Sequence, residues 1–186
     1  MGSDMKKVFI GGSRRLTRLN NDVISHLDRI IESRLPVLIG DANGADKAVQ
    51  NYLCERNYPN VTVFHSGKKW RNNVGNWKAE QVEPPTKRRD YNYYAAKDRR
   101  MADEANYGFA IWDGKSKGTL KQIQRLRNQD KKVHVYAANL KRFLNPSDLD
   151  ALAKESSADE RNDVAPMTTA SSDKSKEENP QLALSL

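Results

Sequence analysis

Short apolar runs alternate with amphipathic stretches along this chain. Val8-Phe9-Ile10 is the first apolar run and ends in Gly11-Gly12. Leu19, Val23, Leu27, Ile30 and Ile31 then recur at helical spacing, with Asn20 or Asn21 as the cap. Leu35-Pro36 closes that helix, because the residue before proline avoids helical backbone angles. Val37-Leu38-Ile39-Gly40 is a second apolar run. It stops at Gly40-Asp41-Ala42-Asn43-Gly44-Ala45-Asp46, which opens a second helical pattern through Ala45, Ala48, Val49, Tyr52 and Leu53. Val61-Thr62-Val63-Phe64-His65 is a third strand. Residues 66–94 break the rhythm. Beyond them the pattern predicts a helix over about 91–105, a strand over 107–112, a helix over 119–130 and a strand over 132–136. Asn145-Pro146 reads as a cap and first helical residue, opening a last short helix to about Ala153.

Five strands thus alternate with helices, and each strand is a continuous apolar run, as a strand covered on both faces requires. The pattern predicts an α/β three-layer sandwich around a five-stranded parallel sheet with right-handed crossovers, in the order 3-2-1-4-5. Residues 1–154 form one domain in this reading. Within it, 66–94 is an irregular basic and aromatic insertion carrying Trp70, Trp77, Tyr91, Tyr93 and Tyr94, and long irregular segments are usually functional. Residues 155–186 are Ser, Asp, Glu, Lys and Pro with few large apolar side chains, and are expected to form a disordered polar tail.

Charge sharpens the picture. The chain of 186 residues carries a net +8, but the tail holds seven acidic and three basic residues, so the body bears the basic excess. A basic body favours anionic partners such as nucleotides, phosphosugars or nucleic acid. The single Cys54 excludes an internal disulfide and a multi-cysteine metal site, and His26, His65 and His134 lack metal-ligand spacing. No metal and no cofactor beyond a nucleotide ligand is expected. No apolar run approaches the roughly 20 residues of a membrane span, and a strand begins almost at once, without a signal peptide. The expected location is cytoplasmic, and a homo-oligomer is left open.

Candidate chemistry gathers at the glycine turns. In the order 3-2-1-4-5 the first and fourth strands flank the switch point where ligands bind beyond the strand ends. Gly11, Gly12, Ser13 and Arg14 end the first strand, and Gly40, Asp41, Asn43, Gly44 and Asp46 follow the second. Asp113, Gly114, Lys115, Ser116, Gly118 and Thr119 follow the fourth and open a helix, whose free N–H groups and dipole favour an anion. Gly118 is expected where a phosphate approaches the backbone, and Thr119 is expected to add its hydroxyl. Arg14 is placed to fork onto a phosphate. Asp46 either accepts from ribose hydroxyls or caps the helix dipole, and Asp41 and Asn43 serve equally as turn formers. Lys97 and Arg99, on the helix before the fourth strand, lean toward the crevice. Asp98, and after it Asp46, is the candidate acid if a bond is cleaved. Trp70 and Trp77 either stack a base or pack the insertion onto the domain. Neither G-x-G-x-x-G nor G-x-x-x-x-G-K-[ST] occurs, which argues against a dinucleotide fingerprint and a P-loop.

Gly11-Gly12-Ser13-Arg14, the Gly40-to-Asp46 turn and Gly114-to-Thr119, taken in order, resemble the SLOG superfamily over about residues 6–137. These are Rossmann-like nucleotide-binding proteins related to the Lonely Guy phosphoribohydrolases and to the DNA-processing protein A fold. The resemblance implies a nucleotide or nucleotide-derived ligand in the crevice, its phosphate on the turn after the fourth strand. Lonely Guy enzymes carry P-G-G-x-G-T-x-E-E there, whereas this chain has Lys121 and Gln122 in place of the acids. That departure points to binding or sensing first. Cleavage or transfer at an N-glycosidic bond is the alternative, and nucleic-acid binding through the basic insertion is the second alternative.

Overall fold

Val8, Phe9 and Ile10 are all buried, and their side chains alternate between the two sides of a central sheet. The structure, a computed structural model, describes residues 5–152. The expected tail after residue 155 lies outside them. The strands are β1 (Val8–Gly12), β2 (Val37–Gly40), β3 (Val61–His65), β4 (Lys78–Gln81), β5 (Tyr107–Trp112), β6 (Lys132–Ala137) and β7 (Arg142–Phe143). They form one sheet in the order β4-β3-β2-β1-β5-β6-β7. Every pairing is parallel except β6 with β7, which is antiparallel.

The five expected strands and their order are therefore present as β3-β2-β1-β5-β6, but the sheet has seven strands and is mixed. Both additions sit at the edges. Lys78-Ala79-Glu80-Gln81 is polar enough to read as loop, yet it pairs with β3 from Thr62–Lys78 to His65–Gln81. Charged side chains are what an edge strand carries to avoid pairing with other molecules. β7 is two residues long, too short to leave a periodic signal.

Helices α1 (Asn21–Glu32) and α2 (Ala45–Glu55) cover one face, and α3 (Tyr91–Glu104) and α4 (Lys117–Asn128) cover the other. Val23, Leu27 and Ile30 of α1 and Val49 and Leu53 of α2 pack on Val8, Ile10, Ile39 and Val63. Met101 and Ala102 of α3 and Ile123 and Leu126 of α4 pack on Phe9, Leu38, Phe64 and Val135. Each of these Val, Leu, Ile, Phe and Met side chains removed from water contributes about 1.5–3 kcal/mol.

Local chemistry fixes where each helix begins. Asn20 Oδ1 accepts from the Val23 N–H at 3.1 Å and caps α1. Asp90 caps α3 through the Tyr93 N–H at 3.1 Å, and Ser116 caps α4 through the Thr119 N–H at 3.3 Å. α4 thus starts two residues earlier than its apolar pattern indicates. Residues 146–152 are helical, capped by Asn145 Oδ1 on the Asp148 N–H at 2.9 Å. Among the described residues no helix is long and apolar enough to cross a membrane.

Candidate functional site

The carboxyl ends of β1, β2 and β5 open into one cavity of about 600 Å³. Gly12 comes from the β1 end, Ala42 and Asp46 from the β2 turn, and Asp113 to Thr119 from the β5 turn. The first half of α3, with Arg89, Tyr91, Tyr94, Lys97 and Asp98, forms the remaining wall.

At the α4 end the turn is held together by its own side chains. Asp113 Oδ1 accepts from the N–H groups of Lys115 at 3.0 Å and Ser116 at 2.7 Å. Partial burial works against the Asp113 charge, but those two hydrogen bonds outweigh it and hold the carboxyl below its ordinary range. Ser13 Oγ accepts from the Asp113 N–H at 3.1 Å and lies 3.2 Å from Thr119 Oγ1, which bonds Ser116 Oγ at 3.0 Å. This hydroxyl chain ties β1 to α4. The Thr119 hydroxyl, expected to meet a ligand, is spent on that tie and is 3% exposed. Among the described residues no hydrogen-bond partner stands on the N–H groups of Lys117 and Gly118, the first two of α4. Gly118 lines the cavity, and a Cβ added there meets nothing within 4 Å. It has no left-handed backbone angle, so a side chain at Gly118 meets no backbone strain and only the open space is special.

The other glycines serve packing. A Cβ on Gly12 would lie 2.5 Å from the Ile111 carbonyl oxygen and 2.7 Å from Ala45 Cβ. Gly44 caps α2 at φ 85° with its Cα against the Arg14 backbone, while Gly114 at φ 80° lies against Asn139. Gly11 abuts the Gln122 amide. These four lie beneath or behind the cavity, and of them only Gly12 lines it. The Ala45 N–H donates to the Ser13 carbonyl at 3.2 Å, so the start of α2 is partly satisfied internally.

The floor below β2 carries buried charge. Asp46 is 6% exposed and Lys97 4%. Lys97 Nζ donates to Asp98 Oδ1 at 2.7 Å. Gly40 makes room for both groups: a Cβ there would lie 2.5 Å from Asp46 Oδ2 and 2.5 Å from Lys97 Nζ. Burial pushes the Asp46 carboxyl up to about 6, with Lys97 opposing and Asp98 adding to the rise. Burial also works against the Lys97 charge, but Asp98 and Asp46 outweigh it and hold the ammonium above its ordinary value.

Several expected site residues do other work. Asp41 is buried and accepts from Arg71 through both oxygens, and Asn43 Oδ1 accepts from Asn72 at 2.9 Å. Both therefore anchor the 66–94 insertion instead of lining the cavity. Arg99 donates to Asn92 at 3.1 Å and does not line the cavity. Trp77 packs against the α1–α2 core and donates its indole N–H to the Tyr58 carbonyl at 2.8 Å. Trp70 is 39% exposed and edges onto His65. Neither tryptophan lines the cavity, whose aromatic side chains are Tyr91 and Tyr94. Arg14 lies over the Tyr94 ring at 5.3 Å and Arg71 at 4.9 Å. Arg15, Arg89, Tyr91, Tyr94 and Gln122 line the cavity without having been singled out as ligands. The basic and aromatic composition of 66–94 was the signal for Arg89, Tyr91 and Tyr94. Among the described residues no group of three or more His, Cys, Asp or Glu side chains is placed to hold a metal ion.

No protein-family model and no curated protein matches this sequence. Among solved structures, the fold is similar to DNA processing protein A from Streptococcus pneumoniae, with a TM-score of 0.50 and 16% identity. The likeness covers 83% of this chain and 56% of that one. It shows the Rossmann-like α/β fold, and the chain spans little more than half the length of that protein.

Proposed function

We propose that the cavity binds a nucleotide or nucleotide-derived ligand in a sensing or handling role, as in the SLOG superfamily, within the cytoplasm. One observation carries this reading: three strand ends, the Gly118 N–H, which has no hydrogen-bond partner among the described residues, and the cations Arg14, Arg15 and Lys115 meet at one cavity. A phosphate placed there gains the dipole of α4 and charge-assisted hydrogen bonds. Tyr91 and Tyr94 offer ring surface for a base beside it. The fold shared with DNA processing protein A agrees with a nucleotide- or nucleic-acid-related role.

The test is a melting-temperature series on the full chain with nucleosides, nucleotides and single-stranded oligonucleotides. A ligand that binds only the folded state stabilises by about 2.7 kcal/mol at a hundredfold excess over its Kd. Nucleotides should raise the melting point and nucleosides should raise it less. A rise with oligonucleotides alone, fading steeply with salt, would favour the basic insertion as a nucleic-acid surface instead.

A second reading, cleavage or transfer at an N-glycosidic bond, rests on Asp46 and Asp98. One carboxyl has its proton affinity raised into the working range, and the other is held by Lys97 on the same floor. Gln122 lines the cavity where a Lonely Guy enzyme has a glutamate, so the acids of this chain would have to be those two. Release of free base from a nucleoside 5′-monophosphate, abolished in Asp98→Asn, is the result this reading requires.

A further inference from the structure

The two ends of the cavity are unlike in charge. At the α4 end stand Lys115 and the Gly118 N–H, which has no hydrogen-bond partner among the described residues. At the other end stand two carboxylates, Asp46 and Asp98, and one ammonium, that of Lys97. Asp98 is engaged by Lys97 at 2.7 Å. Arg71, which also feels the Asp46 charge, is committed to Asp41 through both oxygens. Asp46 therefore has no side-chain partner among the described residues and takes only the backbone N–H of Ala42, although it is 6% exposed. A buried carboxylate with a single donor is costly, because each of its oxygens has lone pairs to satisfy. Lys97 has three ammonium protons and gives one to Asp98, so donor capacity also remains beside Asp46. An anion at this end would face an excess of negative charge.

On the nucleotide reading above, we propose that Asp46 receives two neighbouring hydrogen-bond donors from the uncharged end of the ligand. Lys97 donates to an acceptor beside them. The ligand thus lies with its phosphate on α4 and its donor pair on the floor. Two parts of a nucleotide present such a pair: the N1–H and N2–H edge of guanine, with its carbonyl adjacent, and the cis-diol of ribose. Adenine offers one amino group next to a ring acceptor, and a 2′-deoxyribose has lost one hydroxyl.

Isothermal titration of the full chain with guanosine, 2′-deoxyguanosine, adenosine and 2′-deoxyadenosine 5′-monophosphates separates the two. If guanine supplies the pair, both guanine nucleotides bind at least tenfold tighter than both adenine ones. If ribose supplies it, both ribonucleotides bind at least tenfold tighter than their deoxy forms. Either discrimination must collapse in Asp46→Asn, with the folded state checked by its melting curve. In the guanine case Asp46→Asn should also gain affinity for xanthosine 5′-monophosphate, which a merely structural role would not confer. Asp46→Glu, which keeps the charge, should retain part of the preference. Equal binding of all four nucleotides, or discrimination untouched by Asp46→Asn, overturns the donor-pair assignment and leaves the nucleotide reading standing. Binding of none overturns both.

Discussion

Arg71 grips Asp41 through both carboxylate oxygens, Nε to Oδ2 at 3.1 Å and a terminal nitrogen to Oδ1 at 2.6 Å, and adds its backbone N–H at 3.0 Å. The pair joins the end of β2 to the 66–94 insertion, and the same guanidinium lies under Tyr94 in the cavity wall. Arg71→Ala leaves Asp41 without its donors. We expect a loss of about 1.5–3 kcal/mol in chemical denaturation, the range for hydrogen bonds to a charged group. Arg71→Lys keeps the charge but not the fork, and should recover only part of that loss.

Asp46 should make stability fall as pH rises. Its carboxyl ordinarily titrates at 3.8 and is pushed to about 6 in the fold. The folded state therefore binds the proton more tightly, and that advantage disappears as pH climbs from 3.8 through 6. Asp41 has the opposite sign, being held low by Arg71, but it is common to both proteins in a comparison of wild type with Asp46→Asn. Asp46→Asn should be more stable than wild type at pH 7.5 by about 2–3 kcal/mol and indistinguishable from it near pH 4. Melting curves at both pH values decide this, and an equal difference at each would remove Asp46 as the source.

The glycines should separate into two classes. Gly118→Ala adds a methyl group to open space at the first turn of α4, so stability should hold or rise by about 0.4–1 kcal/mol while nucleotide affinity falls. Gly12→Ala drives a Cβ to 2.5 Å from the Ile111 carbonyl and should destabilise the domain before any ligand is added. Paired melting and titration data on both variants check the division.

Trp77→Ala should lower stability by a few kcal/mol, because it empties part of the core and strands the Tyr58 carbonyl. Trp70→Ala, at an exposed position, should change stability by less than about 0.5 kcal/mol. Denaturant midpoints for the two variants make the comparison.

The central strands and their order were legible because Val8-Phe9-Ile10, Val37-Leu38-Ile39 and Phe109-Ala110-Ile111 are apolar on both faces, as strands of a covered parallel sheet are, and amphipathic helical stretches alternate with them. β4 was not legible, since one pairing partner suffices for an edge strand and its side chains stay polar. At the site, the glycine turns marked the place correctly, but most of the glycines answer to packing. What fills Gly12 and Gly44 is Ala45, Ile111 and Arg14 backbone, contacts made across long sequence separations. Lys97 shows the same limit from the other side. On its own helix it reads as one more charge in Lys97-Asp98-Arg99-Arg100, and only the approach of Gly40 and Asp46 from β2 and α2 buries it. Arg71 and Tyr94 lay inside a segment whose composition was a signal but whose path was not.

Isothermal titration of a nucleoside and its 5′-monophosphate against wild type and Arg14→Ala tests the central claim most directly. Arg14 follows β1, lines the cavity, lies over the Tyr94 ring and is otherwise exposed, so its removal leaves the sheet untouched. Loss of a charge-assisted contact of about 1.5–3 kcal/mol corresponds to a ten- to hundredfold weakening. The account predicts that weakening for the monophosphate and almost none for the nucleoside. Equal weakening of both, or no change in either, would contradict a phosphate held between the β1 and β5 turns.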